Sequence, residues 1–482
     1  EESCACQKCQ RKALREVAKC VHPDTLVNLD GSYTTLGAYV GAMPAGAQGR
    51  VQYDSIADGR GSWTGVEAYY RPGAKACVHV TTQRGVLTCA EDHPLATATG
   101  GTVLAKDALG VELASCEVAA LPYVGPMPQV VVPGGAFRSL PTMHIHTNHT
   151  WAYFAGMFLG DGTVTGTTMA ICHGDVRTED AAHGTSYLAW QDQIVAVLEA
   201  LGFVATRRNT MVTFGDRQAG RCLAALGLTT HDMRVGTAAA PPKGQRRLRV
   251  PPWVLAMGRE GVEHFLAGLA DTDGSVGSSG ALRITTKDPV FAGQLATLFQ
   301  ALGESRVRME PMWNKTYERY YWRLGPTVAF GHRVLFDKMR HPKRLRLRAG
   351  SLTPRTKTTN KCTAVVPAGE LECVDIQVSA DDHMYQQNNF IASNTVIYAV
   401  NYGSGAETVH ENIYNKGYEG PPITVAMVQD VMVAIFSEFP GLVRYREETL
   451  RQARETGELR SPLLFRHRIF PLGDIEATVA YN

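Results

Sequence analysis

No run of about 18 apolar residues occurs in this chain, so no membrane-spanning helix is expected. Net charge is nearly absent as well. Lys and Arg number 48 against 46 Asp and Glu, leaving +2, so any polyanionic partner must be met by local clusters. A disulfide framework is also missing. The eleven cysteines are odd in number, irregularly spaced and follow no secretion signal, which points to a reducing, cytoplasmic setting. Cys4, Cys6 and Cys9 lie close together, but no second ligand pair follows at zinc-site spacing, which argues against zinc. There is no starting Met, and Glu-Glu-Ser-Cys does not resemble a signal peptide, so the chain is expected to be an internal fragment at both ends. What is present is globular: 44% hydrophobic and 20% charged residues over 482 positions, enough for two to four domains.

The local patterns are nested. Residues 7–19, QKCQRKALREVAK, read as a basic helix that stops at Cys20. Residues 20–125 are rich in short β runs, Gly and Pro. Near residue 147 the pattern changes to small-residue and amphipathic helices. QDQIVAVLEALG (191–202) and VFAGQLATLFQALG (290–303) both end at Gly and suggest a duplication of period about 100 residues. β character returns from about 350, with a turn at Asn388-Asn389, and ends at Asn394. Helical character then continues through 395–482. Deleting residues 20–394 joins RKALREVAK to TVIYAVNYGSG as one uninterrupted helix.

That seam carries the chemistry of excision. The Cys20 thiol can attack the Lys19 carbonyl to make a thioester, and the Thr395 hydroxyl can take over the acyl group. Asn394 can cyclise through its side-chain amide and cut its own peptide bond. These features resemble inteins over residues 20–125 and 360–394, and the resemblance implies a Hint-type, all-β horseshoe that needs no cofactor. GVLTCAEDHPLAT is similar to the motif whose histidine, here His93, assists the first acyl shift. ECVDIQVSADDHMY is similar to the C-terminal motif and implies roles for Asp375 and His383 in the later steps. Ala90 stands where the family usually has Thr, so slower N-terminal activation is expected. Ser393 stands where the family often has His, a role His383 can take.

WAYFAGMFLGDGT (151–163) and FLAGLADTDGSV (265–276) each end an apolar, small-residue helix with an acid before Gly. Small residues let two such helices pack closely, so that Asp161 and Asp273 project side by side and share divalent metal for phosphodiester hydrolysis. Residues 145–345 thereby resemble LAGLIDADG homing endonucleases. The resemblance implies a duplicated αββαββα domain, acting as a monomer with Mg2+ on a long asymmetric double-stranded DNA site. It also implies that Lys287 lies near the active site. Basic clusters suit phosphate contacts: Lys243, Arg246, Arg247 and Arg249, then Arg333, Lys338, Arg340, Lys343, Arg344, Arg346 and Arg348.

The rejoined helix resembles the nucleotide-binding helix of family A DNA polymerases in phage-like members, over residues 1–19 and 395–482. On that likeness Arg15, Lys19, Tyr398 and Tyr402 would meet the incoming dNTP beside primer-template, within mostly helical fingers segments. The carboxylate motifs of the palm are not in this chain, and a bacterial or phage-infected cell is the expected setting. Two other readings stand beside splicing. One is a splicing-defective insert kept as a DNA-binding accessory domain, which Ala90 favours. The other is a hedgehog-like domain that cleaves without ligating; it needs neither Asn394 nor Thr395, yet both are present.

Overall fold

The computed structural model describes residues 20–41, 49–50, 55–123, 125–134, 141–165, 168–176, 179–180, 185–215, 217–229, 248–304, 306–349, 359–380, 384–393, 407, 410, 424–438, 451, 455, 458–460 and 467–469. The chain divides into two compact units. One comprises Glu1–Lys19 with Asn394–Asn482, the other Cys20–Ser393. Among the described residues no helix is long and apolar enough to cross a membrane.

The Cys20–Ser393 unit begins with strands β1 (Leu26–Leu29), β2 (Ser32–Thr35), β3 (Ser55–Ala57), β4 (Trp63–Thr82), β5 (Val86–Ala90), β6 (Pro94–Ala96) and β7 (Thr102–Leu104). An α/β insertion follows. Its first half runs α1 (His149–Asp161), β8 (Gly162–Thr165), β9 (Thr168–Cys172), α2 (Tyr187–Ala200), β10 (Ala205–Arg207), β11 (Met211–Phe214) and α3 (Arg217–Ala225). Its second half runs α4 (Gly258–Thr272), β12 (Gly274–Val276), β13 (Leu282–Thr286), α5 (Pro289–Ala301), β14 (Arg308–Asn314), β15 (Arg319–Gly325) and α6 (Val328–Leu335). The chain then returns to the β region through β16 (Cys362–Val378), β17 (Met384–Gln387) and β18 (Phe390–Ser393).

Two sheets build the β region. The first runs β2-β1-β3-β4-β16, with β5 also on β4, and the second runs β17-β18-β6-β7. The β4–β16 pairing is long enough to be flat, yet register shifts interrupt it at Cys362/Ala364, Pro367/Gly369, Cys373/Asp375 and Gln377/Val378. Each shift adds twist and bend, so the two strands curl around the core. Asn388 turns β17 into β18 with φ +53, as the Asn-Asn pair suggested. Its side chain accepts from Leu26 N at 2.8 Å and so ties the last hairpin to the first strand.

The two halves of the insertion share one topology. Their sheets run β8-β9-β11-β10 and β12-β13-β15-β14, each between helices in the same order. Helices α1 and α4 cross on their glycines. A Cβ on Gly156 would collide with the Phe265 carbonyl, one on Gly268 with the Tyr153 carbonyl, and one on Gly160 with the Thr272 hydroxyl. The small-residue runs are thus the condition for the close approach, and no larger residue fits these positions.

The β region keeps a core of its own around Val27, Ile56, Val80, Leu87, Ile376 and Phe390, and it also shares one with the insertion. Leu26, Tyr33, Val86 and Leu121 share one buried cluster with Phe154, Phe265, Leu295 and Phe299. Helix α5 lies directly on β5, where a Cβ on Gly293 would collide with the Val86 carbonyl. Trp322 on β15 donates from its indole N–H to the Thr81 hydroxyl at 3.1 Å.

In the other unit the described elements are α7 (Val425–Glu438) and an antiparallel pair, β19 (Glu458–Arg460) with β20 (His467–Ile469). The expected 7–19 helix and the seam lie outside the described residues.

Candidate functional site

Cys20 sits at the convergence of three strands. Val21 exchanges both backbone hydrogen bonds with Val374 of β16, each 2.9 Å, and His22 N donates to the Thr88 carbonyl of β5 at 3.0 Å. The Cys20 carbonyl accepts from Ala90 N at 2.9 Å. Residues 20–22 therefore fill the gap between β5 and β16. The Cys20 side chain is buried against Cys77, Ala90 and Cys373. Burial pushes its thiol up; a hydrogen bond with Cys373 and the Lys75 charge pull it down, while Asp375 and Cys77 add to the rise. The Cys77 and Cys373 sulfurs lie 3.5 Å apart.

Asp375 is fully buried on the same stretch of β16. Its Oδ1 accepts from Ile376 N at 2.9 Å and from the Tyr385 hydroxyl at 3.4 Å. Burial and the neighbouring Asp375 charge hold the Tyr385 phenol protonated, so it remains a donor. His93, also buried, follows Ala90 by one turn, with His93 N donating to the Ala90 carbonyl at 3.0 Å. Its Nε2 lies 2.8 Å from Gln387 Oε1 on β17, a geometry that suits an Nε2–H donor and makes Nδ1 the basic nitrogen. The fold thus gathers Cys20, Ala90, His93 and Asp375 around one short strand. His383, Asn394 and Thr395 lie outside the described residues, as do Arg15, Lys19, Tyr398 and Tyr402.

A second set of residues lies at the ends of α1 and α4. Asp161 is the last residue of α1 and Asp273 follows α4 directly, half-buried and exposed respectively. A Cβ on Gly160 would come within 3.1 Å of Asp273 N, so the two acid-bearing ends are neighbours. Asp161 is also close enough to His173 for its charge to oppose the lowering that burial imposes on that imidazole. Among the described residues no group of three His, Cys, Asp or Glu side chains assembles for a metal. The acids at these neighbouring helix ends bring hard oxygens of the kind that hold a divalent cation together with water and phosphate. Lys287 is exposed just beyond β13.

The basic residues fall into different environments. Arg249 does not face outward for DNA, contrary to the expectation. Its Nε donates to Asp24 Oδ2 and its Nη1 to Asp288 Oδ2, both at 2.6 Å. Lys343 is buried too, and its ammonium donates to the Gly274 carbonyl at 2.6 Å and the Thr272 carbonyl at 3.4 Å. It caps the C-terminal end of α4, where carbonyls lack helical partners and favour a cation. Arg344 lies over the Phe336 ring at 5.3 Å, and Arg346 is exposed. Arg246 and Arg247 lie outside the described residues. The sequence reading overlooked a basic strand face. Registered pairs Thr285–Arg323 and Arg323–Glu310, with Arg308 two residues before Glu310, place Arg283, Arg308 and Arg323 around one glutamate. Burial and the charges of Arg308 and Arg323 lower the Arg283 guanidinium. The alternation in RYYWRLG was the available signal.

Asp271, two residues before Asp273, was also overlooked; the matching position in α1 is Leu159. Its Oδ2 accepts from the Tyr153 hydroxyl and from Arg340 N, both at 2.6 Å. Burial pushes this carboxyl up to about 6 despite those bonds and Lys343. An unfolded Asp loses its proton near 3.9, so the folded state holds the extra proton between roughly pH 4 and 6. The contribution to stability is complete below that window and is lost as pH rises through about 6. Asp271→Asn is therefore expected to gain stability over the parent at pH 7, on the order of 2 kcal/mol, and to gain none near pH 4. Urea unfolding of both proteins at the two pH values checks this; an equal difference at both would refute it.

Residues 260–332 match the LAGLIDADG-like domain family. Among solved structures, the chain is similar to the VidaL intein at 16% identity, covering 20% of this chain and 70% of that one, with a TM-score of 0.17. It is similar to mesophilic variants of the homing endonuclease I-DmoI at 14% identity, covering 39% of this chain and 96% of that one, with a TM-score of 0.23. I-DmoI in complex with DNA and Ca gives the same identity and TM-score and is covered over 89% of its length. No curated protein matches the chain.

Proposed function

We propose that residues 20–394 form a protein-splicing element that excises itself and joins Lys19 to Thr395. Its α/β insertion would be a Mg2+-dependent endonuclease cutting double-stranded DNA. The observation that carries this reading is the division of the chain: the two flanks group into one compact unit, and everything from Cys20 to Ser393 groups into the other. Such a grouping suits a host protein interrupted by a removable segment.

The chemistry then follows from the residues. Cys20 is a neutral thiol at rest, so its attack on the Lys19 carbonyl needs a group to accept the thiol proton. Asp375 is the buried carboxylate within electrostatic reach. The basic nitrogen of His93 would take up the proton that Asp375 receives from the thiol and deliver it to the Cys20 amine as the Lys19–Cys20 bond breaks, leaving a thioester. The Thr395 hydroxyl displaces the Cys20 thiol from that thioester. Asn394 cyclises, releasing the Thr395 amine, and a final oxygen-to-nitrogen shift gives the Lys19–Thr395 peptide bond. Atoms balance without any cofactor. In the rejoined helix Arg15, Lys19, Tyr398 and Tyr402 would form the nucleotide-binding face of a family A DNA polymerase. The insertion would be held to its DNA site through its basic sheet faces, with Asp161 and Asp273 as ligands for Mg2+, which supplies a polarised water and neutralises phosphate charge.

Intact-mass measurement after expression in a reducing host tests the splicing reading. The expected products are residues 20–394 alone and residues 1–19 joined to 395–482. A stable full-length mass would reject splicing in favour of an accessory DNA-binding domain.

A further inference from the structure

We infer that Arg249, carried by the insertion, is a positioning residue for Cys20; this rests on the splicing reading above. The guanidinium bridges Asp24, four residues after Cys20, and Asp288, the N-cap of α5. Burial pulls the guanidinium down, but the two carboxylates outweigh it and hold the cation above its ordinary value. All three side chains are largely shielded from water, with exposures of 17–24%. Ion pairs so placed are screened little by salt, and removing one member leaves uncompensated charge.

Asp24 is gripped twice. Its backbone carbonyl accepts from Gln294 Nε2 at 2.7 Å, and Gln294 Oε1 in turn accepts from Val250 N at 2.9 Å. The grip is relayed to Cys20 over a short, fully bonded turn. Asp24 N donates to His22 Nδ1 at 3.1 Å, Thr25 N to the His22 carbonyl at 2.9 Å, and His22 N to Thr88 of β5. The turn is also bonded to the segment after β2, where Gly37 N donates to the Pro23 carbonyl at 2.6 Å and Leu36 N to the Thr25 carbonyl at 2.8 Å, but part of it is left uncovered. A cavity of about 580 Å3, lined by Pro23, Asp24, Arg249, Cys373 and Val374 among others, lies against it. The ion pairs tie down the uncovered, Asp24 side of the turn, and the turn sets where residues 20–22 enter between β5 and β16. Without the cation, Asp24 and Asp288 would face each other as like charges across its place.

The test compares Arg249→Met, Arg249→Lys and the double variant Arg249→Met/Asp288→Asn with the parent chain. Two rates are read separately by mass: thiol-induced cleavage after Lys19, which reports the first acyl shift, and cleavage after Asn394. Displacement of a nucleophile by about 1 Å can cost on the order of a hundredfold in rate. Arg249→Met is expected to slow the first acyl shift at least tenfold while leaving Asn394 cleavage within twofold. Arg249→Lys should keep some of the rate. The double variant should recover some of it, because the side-chain amide introduced at position 288 still caps α5 while one of the opposed charges is gone. Unchanged acyl-shift rates in Arg249→Met would overturn the inference. So would equal slowing of both cleavages, or weakened DNA binding with intact splicing. A parent chain that performs neither cleavage would instead overturn the splicing reading itself.

Discussion

Cys20→Ala is expected to abolish both the ligated product and thiol-induced cleavage after Lys19, while cleavage after Asn394 continues. The argument is one of position. Residues 20–22 are bonded on one side to β5 and on the other to β16, so the nucleophile that directly follows the proposed scissile bond is held on a fixed backbone. Cys77 and Cys373 are close to it, but they belong to β4 and β16 and are fixed by the sheet. A neighbouring thiol that must move a few ångströms loses the advantage of an intramolecular attack. Removing a dedicated nucleophile typically costs many orders of magnitude, so a fall below about one thousandth of the parent rate is expected. The substitution should leave the fold standing, because Ala is tolerated at the buried position and loses on the order of 1 kcal/mol of packing. A parental circular dichroism spectrum with the midpoint lowered by only a few degrees, beside the mass measurement, separates lost chemistry from lost structure. Persistent ligation in Cys20→Ala would mean that another thiol carries the acyl group, and the assignment of Cys20 would be wrong.

Much of the fold was legible because its requirements are local. The glycines of WAYFAGMFLGDGT and FLAGLADTDGSV announce a close helix crossing, since Gly156 and Gly268 meet backbone carbonyls of the opposite helix. The Asn388-Asn389 turn was legible because a non-glycine residue at positive φ is most often Asn or Asp. The roles of the basic residues were not legible in the same way. Arg249 and Lys343 each sit in a run of positive charge that suits phosphate. Their partners, however, are Asp24, 225 positions away, and the carbonyls that end α4. A charge cluster in a sequence carries no direction, and long-range pairing turned both side chains inward. The shared core of Leu26 and Val86 with Phe265 and Leu295 was hidden for the same reason. Alternating hydrophobicity marks a buried face without saying which element covers it. The arginines of the β13–β15 face could have been found, because Arg319 and Arg323 fall on the same parity in a strand whose other parity is Tyr320, Trp322 and Leu324.

Asp161→Asn and Asp273→Asn should each stop DNA cleavage, by at least about a hundredfold, while leaving splicing and DNA affinity close to those of the parent. Both acids sit where helix geometry places them. Gly160 lets the end of α1 reach Thr272 and the backbone of Asp273, so on the proposed nuclease reading the two acids would serve one phosphodiester rather than two separate sites. Asn is nearly the same size and keeps one oxygen, so the crossing and the affinity contributed by the sheet faces should survive, but the charge that holds a divalent cation is halved. Asp271 makes an internal control. It lies two residues before Asp273 but is buried, bonded to Tyr153 and Arg340, and has its carboxyl pushed up to about 6 by burial. Asp271→Asn should therefore still cut. The substrate is a plasmid carrying the coding sequence for residues 1–19 joined to 395–482, the uninterrupted site implied by the homing resemblance. Cleavage is scored with Mg2+ and with chelator. If Asp161→Asn or Asp273→Asn cuts at the parental rate, the paired-carboxylate site is wrong. If the three variants lose activity together, the acids matter to folding and not to chemistry.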